Sequence, residues 1–230
     1  MSVMVNRGEA TGLTVDWLKD FPPEKRLFTG RTYFLLKRGM DLLVVILTAP
    51  AWALVLLAIA LVMKIDDPAS PVVFTQLRTG KGGRRFRMYK FRTMVPNAEE
   101  LKLKYASANE LKWPDFKITN DPRITPLGRI LRKTSLDELP QVINILKGEM
   151  SLVGPRPTSF SPRTYELWHT ERLEITPGLT GLWQIMGRGT IEFDERLRLD
   201  IAYIERQSIW LDIQILLHTV GAVLAQKGAH

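Results

Sequence analysis

The sequence contains no cysteine and only three histidines, His169, His218 and His230. Without cysteine there is no disulfide, no thiolate metal site and no thiol nucleophile, and the redox compartment is left open. So few histidines argue against a multi-histidine metal centre. Acidic residues are also in deficit: 24 Asp and Glu stand against 32 Lys and Arg, a net charge of +8. That balance points to anionic partners, whether nucleic acid, acidic lipid or phosphorylated small molecules, and does not choose among them. No internal repeat and no low-complexity tract is present. The 230 residues have room for one compact domain plus accessories.

Charge is missing altogether from Leu42 to Met63, LLVVILTAPAWALVLLAIALVM, a run of 22 residues of which 13 are Leu, Ile or Val. Such a run exceeds the roughly 18 residues that mark a membrane helix. At about 0.3 to 0.6 kcal/mol each, those side chains favour the bilayer by on the order of 5 kcal/mol, which outweighs one proline. A cleaved signal peptide is not expected, because the run starts late, is too long, and is followed by lysine. Both flanks are basic: Lys37 and Arg38 precede the run, and Lys64, Arg78, Lys81, Arg84, Arg85 and Arg87 follow it. Positive-inside reasoning therefore places both ends on the cytoplasmic face. Pro50 removes an amide hydrogen and can break the helix, and the Thr48 hydroxyl can satisfy a freed carbonyl. The expectation is a re-entrant helix that enters and leaves by one face; a spanning helix kinked at Pro50 is the alternative.

Three regions follow: an N-terminal arm over 1–30, a re-entrant membrane helix over 31–65, and a catalytic domain over 66–230. The arm reads as loosely ordered, with a short helix near Asp16 to Asp20. VVFTQLRTGKGGRRFRMYKFRTM reads as two strands joined by a glycine-rich turn. A helix near Ala98 to Ala108, capped by Asn97, precedes a loop from Lys112 to Pro126. After the acid-bearing helix come the GPRP loop, a short helix near Arg163 to Glu171, the loop TPGLTGLWQIMGRG, and helices near Phe193 to Arg206 and Ile209 to Gln226. In the last of these, Ile209, Ile213, Leu216, Leu217 and Val220 suit a core or a membrane surface. The fold class is α+β, mostly helical, with one β-hairpin and amphipathic interfacial helices.

Within RKTSLDELPQ, Asp137 and Glu138 form an acid pair in a basic neighbourhood. A capping box explains both acids, with Ser135 as N-cap and Glu138 as its reciprocal partner. Pro140 disturbs that register, and the regular helix then starts nearer Pro140, leaving the acids in the preceding turn. In either register Asp137, Gln141 and Asn144 share a face, Leu136, Leu139, Ile143 and Leu146 pack inward, and Gly148 ends the helix. The chemical reading is different. Adjacent carboxylates hold Mg²⁺ through oxygen, and an aspartate can attack phosphorus. Arg129, Arg132 and Lys133 lie within two turns, and Arg156 is fixed between Pro155 and Pro157, a geometry suited to phosphate. Together these are parts of a phosphoryl-transfer site.

KRGMD, FTQLRTGKGGRRFRMYKFRTM, DPRITPLGRILRKTSLDELPQVINILKGEMSLVGPRP, TPGLTGLWQ with GRG, and DIAYIERQSIWLDIQILLHT occur in that order. Together they resemble the bacterial sugar transferase family, the monotopic polyprenyl-phosphate phosphoglycosyl transferases, from about Lys37 to Thr219. The resemblance implies a Mg²⁺-dependent reaction in two steps. Asp137 would attack a UDP-sugar, release UMP and carry a phosphosugar, which undecaprenyl phosphate would then accept. It implies that Glu138 assists metal binding beside Asp137 and that Arg156 is a phosphate ligand. Lys90, Arg92 and Thr93 are further candidates for the phosphate site, with anionic lipid contact as the alternative. Gly178, Gly181, Gln184 and Arg188 form either a nucleotide pocket or a tight structural loop. Arg38, Asp41 and Pro50 belong to the membrane re-entry. Asp200, Tyr203 and Asp212 are read as helix-packing positions and His169 as a surface or capping residue. In the family the helix break often falls about one turn after Pro50, at Ala53-Leu54 here. Larger relatives carry four additional membrane helices.

The implied location is the bacterial inner membrane, with the catalytic domain on the cytoplasmic face and membrane lipids as neighbours. A homodimer is left open. The sequence RRFRMYKFR interleaves aromatics with cations, as a nucleic-acid module would. The charge-free run and the acid pair speak against that, so nucleic acid is not an expected partner. A non-catalytic anchor explains the apolar run but not the proline-fixed arginine.

Overall fold

A stripe with four-residue spacing sets the position of the first long helix. In α1 (Gly30–Leu47) the buried side chains are Tyr33, Lys37, Asp41 and Val45, one per turn and therefore one face. Lys37 Nζ donates to Asp212 Oδ2 at 2.9 Å, and the Tyr33 hydroxyl donates to the same oxygen at 3.0 Å. Asp41 accepts from the Ser151 hydroxyl at 2.7 Å and from the Leu152 amide at 3.2 Å. Arg38 donates to the carbonyls of Ile145 and Leu146 at 2.6 and 3.0 Å. The other side of α1 leaves Leu35, Leu43, Ile46 and Leu47 exposed. The structure is a computed structural model and describes residues 16–110, 116, 118–161, 166–187 and 191–224.

The helix breaks at Thr48, where Pro50 was expected to interrupt it. Pro50 falls in the first turn of α2 (Ala49–Asp66), where its missing amide hydrogen would have had no partner. The carbonyls at the end of α1 are satisfied from across the break. The Thr48 hydroxyl donates to Val44 O at 2.7 Å, as expected, and the Trp52 indole N–H donates to Val45 O at 2.8 Å. By length and composition α2 can cross a membrane, with a mean hydropathy of 1.9 and 11% of it buried. Its last turns return to the domain, where Met63 packs with Phe91 and Leu131. Arg92 holds Asp67 at 3.1 Å just beyond.

The hairpin forms where the alternation placed it. β1 (Val73–Thr79) and β2 (Arg85–Phe91) are antiparallel, in register from Val73 opposite Phe91 to Thr79 opposite Arg85. α3 (Ala98–Lys104) follows, and the expected Asn97 cap makes no side-chain hydrogen bond to it. In α4 (Pro126–Lys133) Thr125 caps instead, its hydroxyl accepting from the Gly128 amide at 3.0 Å.

The acid-bearing segment differs from the continuous helix expected. Ser135 adopts a left-handed conformation (φ 58°) and ends α4, so its side chain makes no cap hydrogen bond and no capping box forms. A 3-10 segment, Leu136–Gln141, carries the acids, and α5 (Val142–Lys147) starts only after Pro140. The tighter winding, about 120° per residue against 100°, turns the apolar face by about one position over six residues. Val142 and Ile145 therefore point inward, while Ile143 and Leu146, expected inside, are 39% and 42% exposed. Gly148 ends α5 at φ 78°, as expected.

β3 (Ser151–Val153) pairs in parallel with β4 (Gly178–Thr180). A Cβ on Gly178 would lie 2.1 Å from the Gly154 nitrogen, so that glycine serves strand approach and the tight-loop alternative holds there. A 3-10 segment, Leu167–Leu173, begins with a capping box between Glu166 and His169, which gives His169 its capping role. α6 (Leu182–Gly187), α7 (Phe193–Arg206) and α8 (Ile209–Leu224) complete the chain. The expected end of α8 at Gln226 lies outside the described residues. Leu211, Asp212 and Ile215 form its buried side, whereas Leu217 and Val220 of the expected stripe are 64% and 59% exposed. The arm is not loose where described. Asp16–Asp20 is a 3-10 turn, Leu18 joins the core, and the Trp17 ring lies 5.1 Å from His218. Among the described residues the architecture is α+β, mostly helical with two small sheets.

Candidate active site

Strand β2 and the loop after β3 bring cations to the acid pair. Lys90 Nζ donates to Glu138 Oε1 at 3.0 Å. Arg156 reaches the same carboxylate with both terminal nitrogens, NH1 to Oε2 at 3.0 Å and NH2 to Oε1. Glu138 is thereby clamped from two sides. Asp137 is 7% exposed, and its carboxylate has no hydrogen-bond partner among the described residues. Lys90, Arg132 and Arg156 act on it through charge alone. Arg132 is held in turn by its Nε, which donates to the Thr93 hydroxyl at 2.9 Å.

Burial, then the adjacent Glu138 charge, pushes the Asp137 carboxyl above the usual aspartate range, against the pull of the three cations. Burial also lowers Lys90, although Glu138 opposes it. Burial would lower Arg156 too, but the Glu138 charge and hydrogen bonds reverse the sign and raise it. The result is one tethered carboxylate and one untethered, more basic carboxylate in the same turn.

The expected site residues do not all converge. Lys90, Arg132 and Arg156 do. Arg92 does not: its Nε donates to Pro71 O at 2.9 Å and it pairs with Asp67, securing the end of α2. Arg129 is exposed on α4 and reaches neither acid. Gln184 donates to Leu179 O at 3.1 Å and lines a cavity with Glu138 and Arg156. Arg188 lies outside the described residues. Of the face shared with Asp137, Asn144 is engaged with the hairpin. Its amide donates to Arg87 O at 2.7 Å, and its oxygen accepts from the Tyr89 amide at 3.1 Å. Gln141 is fully buried with neither side-chain polar atom partnered.

That cavity, about 280 Å³, is walled by Leu139, Leu152, Leu179, Ile185 and Leu216, with Glu138 and Arg156 on one side. Among the described residues no cluster of three or more His, Asp or Glu is available for a metal. Two adjacent carboxylates are nevertheless hard oxygen donors. They suit Mg²⁺ bound jointly with substrate phosphates and water, and do not form a complete protein cage.

The model for bacterial sugar transferases matches residues 32–226. The chain belongs to the bacterial sugar transferase family. It is similar to the galactosyl transferase CpsE of Streptococcus agalactiae, with 44% identity over 204 residues covering 88% of this chain and 45% of the relative. It is also similar to the undecaprenyl-phosphate galactose phosphotransferase of Salmonella typhimurium, with 42% identity over 210 residues, 87% of this chain and 43% of the relative. The chain thus spans less than half the length of these two. The exopolysaccharide production protein ExoY of Sinorhizobium fredii is 36% identical over 199 residues, 84% of this chain and 88% of that one.

In this member of the family several residues escaped the sequence reading. Tyr33 and Lys37 were missed as partners of Asp212, yet their spacing with Asp41 along a helix was the available signal. Arg78, Arg172 and Arg196 converge with Arg156 on a second cavity. They come from three distant segments, so no local pattern announces them.

Proposed function

We propose that the protein is a polyprenyl-phosphate phosphoglycosyl transferase of the membrane surface. A carboxylate oxygen of Asp137 attacks the sugar-bearing phosphorus of a UDP-sugar. As that O–P bond forms, the bond to the bridging oxygen breaks and UMP leaves with the electron pair. An oxygen of undecaprenyl phosphate then attacks the same phosphorus and displaces the carboxylate, giving a polyprenyl diphosphosugar and free Asp137. The observation that carries this reading is the contrast within one turn: Glu138 is clamped by Lys90 and Arg156, while the Asp137 carboxylate, raised in basicity, has no hydrogen-bond partner among the described residues. Arg156 and Lys90 are aimed where phosphate oxygens would gather charge. Asp137 and Glu138 would hold Mg²⁺, which supplies charge neutralisation for the diphosphate when bound. The product is the lipid-linked sugar that begins a surface polysaccharide or another glycoconjugate.

The membrane arrangement we propose is re-entrant and monotopic, at the cytoplasmic face of the inner membrane. Both ends of the apolar segment are fastened to one body, α1 through Tyr33, Lys37 and Asp41 and α2 through Met63 and Asp67. A single crossing of a hydrocarbon core about 30 Å thick would separate those ends. The exposed Ile143, Leu146, Leu217 and Val220 are suited to lie against lipid.

The test is a single-turnover assay with a panel of UDP-sugars and no acceptor. The account expects one equivalent of UMP per enzyme, followed by turnover when undecaprenyl phosphate is added. UMP release that strictly requires the acceptor would overturn the covalent step. Because the chain has no cysteine, single cysteines at Lys25 and Lys104 report topology directly. Labelling of either from outside intact cells would contradict re-entry.

A further inference from the structure

The loop after β3 is fixed carbonyl by carbonyl. Pro155 O accepts from the Gly178 amide at 2.9 Å, and Thr158 O accepts from the Thr79 amide at 2.9 Å, both of them backbone bonds set by neighbouring strands. The two carbonyls between these are met by arginine side chains. Arg172 donates to Arg156 O at 2.5 Å, and Arg78 donates to Pro157 O at 3.2 Å. Each arginine is held from behind in turn. Arg78 donates to Gln76 Oε1 at 2.5 Å, and Arg172 pairs with Asp200 of α7 at 2.6 Å through the same nitrogen that serves the Arg156 carbonyl. The Arg172 and Asp200 side chains are 5% and 1% exposed, so the pair is interior. What the loop presents is Arg156, whose guanidinium bonds to both oxygens of Glu138. Two ion pairs and one hydrogen bond to a carbonyl thus connect Asp200 on α7 to the turn that carries Asp137.

We infer that Arg172 and Asp200 are positioning residues of the transferase site, which set the aim of Arg156 and, through it, the carboxylate of Glu138 beside Asp137. This inference rests on the transferase reading above and adds residues that act without touching substrate. A buried ion pair loses about as much in desolvation as its attraction returns, so it adds little net stability over apolar side chains of the same size. Its use here is geometric. Pro155 and Pro157 hold their own φ, and Pro157 confines Arg156 to extended backbone. That still leaves ψ of Arg156 a range of about 40°, and ψ turns the Arg156 carbonyl relative to its side chain. The hydrogen bond from Arg172 narrows that range, and Asp200 holds Arg172 in place to make it. A shift of about 1 Å in a group that orients a reacting centre is felt as roughly 100-fold in rate, so a tie remote from the acids is sufficient to govern turnover.

The test is a mutant cycle on the rate of acceptor-free UMP release, measured on the full chain in nanodiscs with a panel of UDP-sugars. Arg172→Met made together with Asp200→Leu removes the pair without stranding either of its charges, and is expected to slow release about 10- to 100-fold. In an Arg156→Gln background the same two changes should slow it by no more than about twofold, because the residue they act through is gone. A purely structural role would slow both backgrounds alike. Melting temperatures near those of the parent proteins show that the variants are folded. Should the paired change melt early, Arg172→Lys, one bond shorter and still a cation beside Asp200, is read in the same two backgrounds, with a fall of about tenfold expected only where Arg156 is present. A folded variant that releases UMP at the parent rate, or an equal fall with and without Arg156, overturns the positioning role and leaves the transferase reading standing. A wild type that releases no UMP from any UDP-sugar overturns the transferase reading and the positioning role with it.

Discussion

Two buried carboxylates in this protein, Asp212 and Asp137, are treated in opposite ways. Asp212 is fully buried and every oxygen is engaged. Tyr203 donates to Oδ1 at 2.6 Å, and Lys37 and Tyr33 donate to Oδ2 at 2.9 and 3.0 Å. It ties α1 to α7 and α8, and its charge has a partner and a full set of donors, as an interior charge requires. Asp137 is almost as buried, has three cations nearby and no hydrogen bond to any of them. Interior charge left in that condition costs stability, and folds keep it where chemistry needs a free lone pair. The difference separates a carboxylate that ties helices together from one whose oxygens are left unengaged, which is what the proposed nucleophile requires.

Exchanging Asp137, the proposed nucleophile, should have the largest effect. Asp137→Asn is expected to reduce transferase activity by at least about 10⁴-fold, the scale on which loss of a covalent nucleophile is felt, while leaving the fold intact. Its stability should rise at neutral pH. The folded-state pKa of Asp137 lies above the unfolded value, so stability from this group is present at low pH and is lost as pH rises through the folded pKa. The asparagine variant escapes that loss, and its gain in melting temperature should vanish below the ordinary aspartate range. For the same reason the acid limb of wild-type UMP release should lie above that range.

The structural acid should behave in reverse. Asp212→Ala strands Lys37 and removes the acceptor of two tyrosines, and is expected to cost about 3 to 5 kcal/mol, read as a fall in melting temperature. Molecules that remain folded should still release UMP. Glu138→Gln is intermediate: the clamp from Lys90 and Arg156 weakens, and a loss of roughly 10- to 100-fold with a raised Mg²⁺ requirement is expected in a metal titration. The smallest effect belongs to the helix break. Trp52→Phe leaves the Val45 carbonyl without its donor and should cost about 1 kcal/mol in thermal melts, with kcat unchanged.

Features governed by local periodicity were legible in the sequence. The charge-free run, the β1–β2 hairpin, the Gly148 stop and the α7 and α8 spans all follow from apolar spacing or from backbone demands that a single residue meets. The acid pair stands out in the sequence as two carboxylates among cations, and the structure keeps cations around it, but its local geometry was not legible. Ser135 is an ordinary N-cap residue by type, and its left-handed conformation depends on how α4 and the hairpin pack around it. That one residue replaced a capped helix with a 3-10 segment, shifted the apolar face, and sent Ile143 and Leu146 outward. The site cations were only partly legible. Arg132 and Arg156 lie near the acids along the chain or are fixed by prolines, whereas Lys90 arrives on a strand 48 positions earlier. Arg92 and Arg129 looked equivalent to them in the sequence and are placed elsewhere by their own partners or by exposure.

The claim at the centre of the account is that Asp137 becomes phosphorylated by a sugar phosphate. Wild-type protein incubated with its UDP-sugar, without acceptor, should be acid-quenched and analysed by intact and peptide mass spectrometry. The peptide containing Asp137 should carry an added sugar-phosphate mass, sensitive to hydroxylamine and discharged by undecaprenyl phosphate. An unmodified Asp137 in enzyme that has released its equivalent of UMP, or the adduct on any other residue, would contradict it.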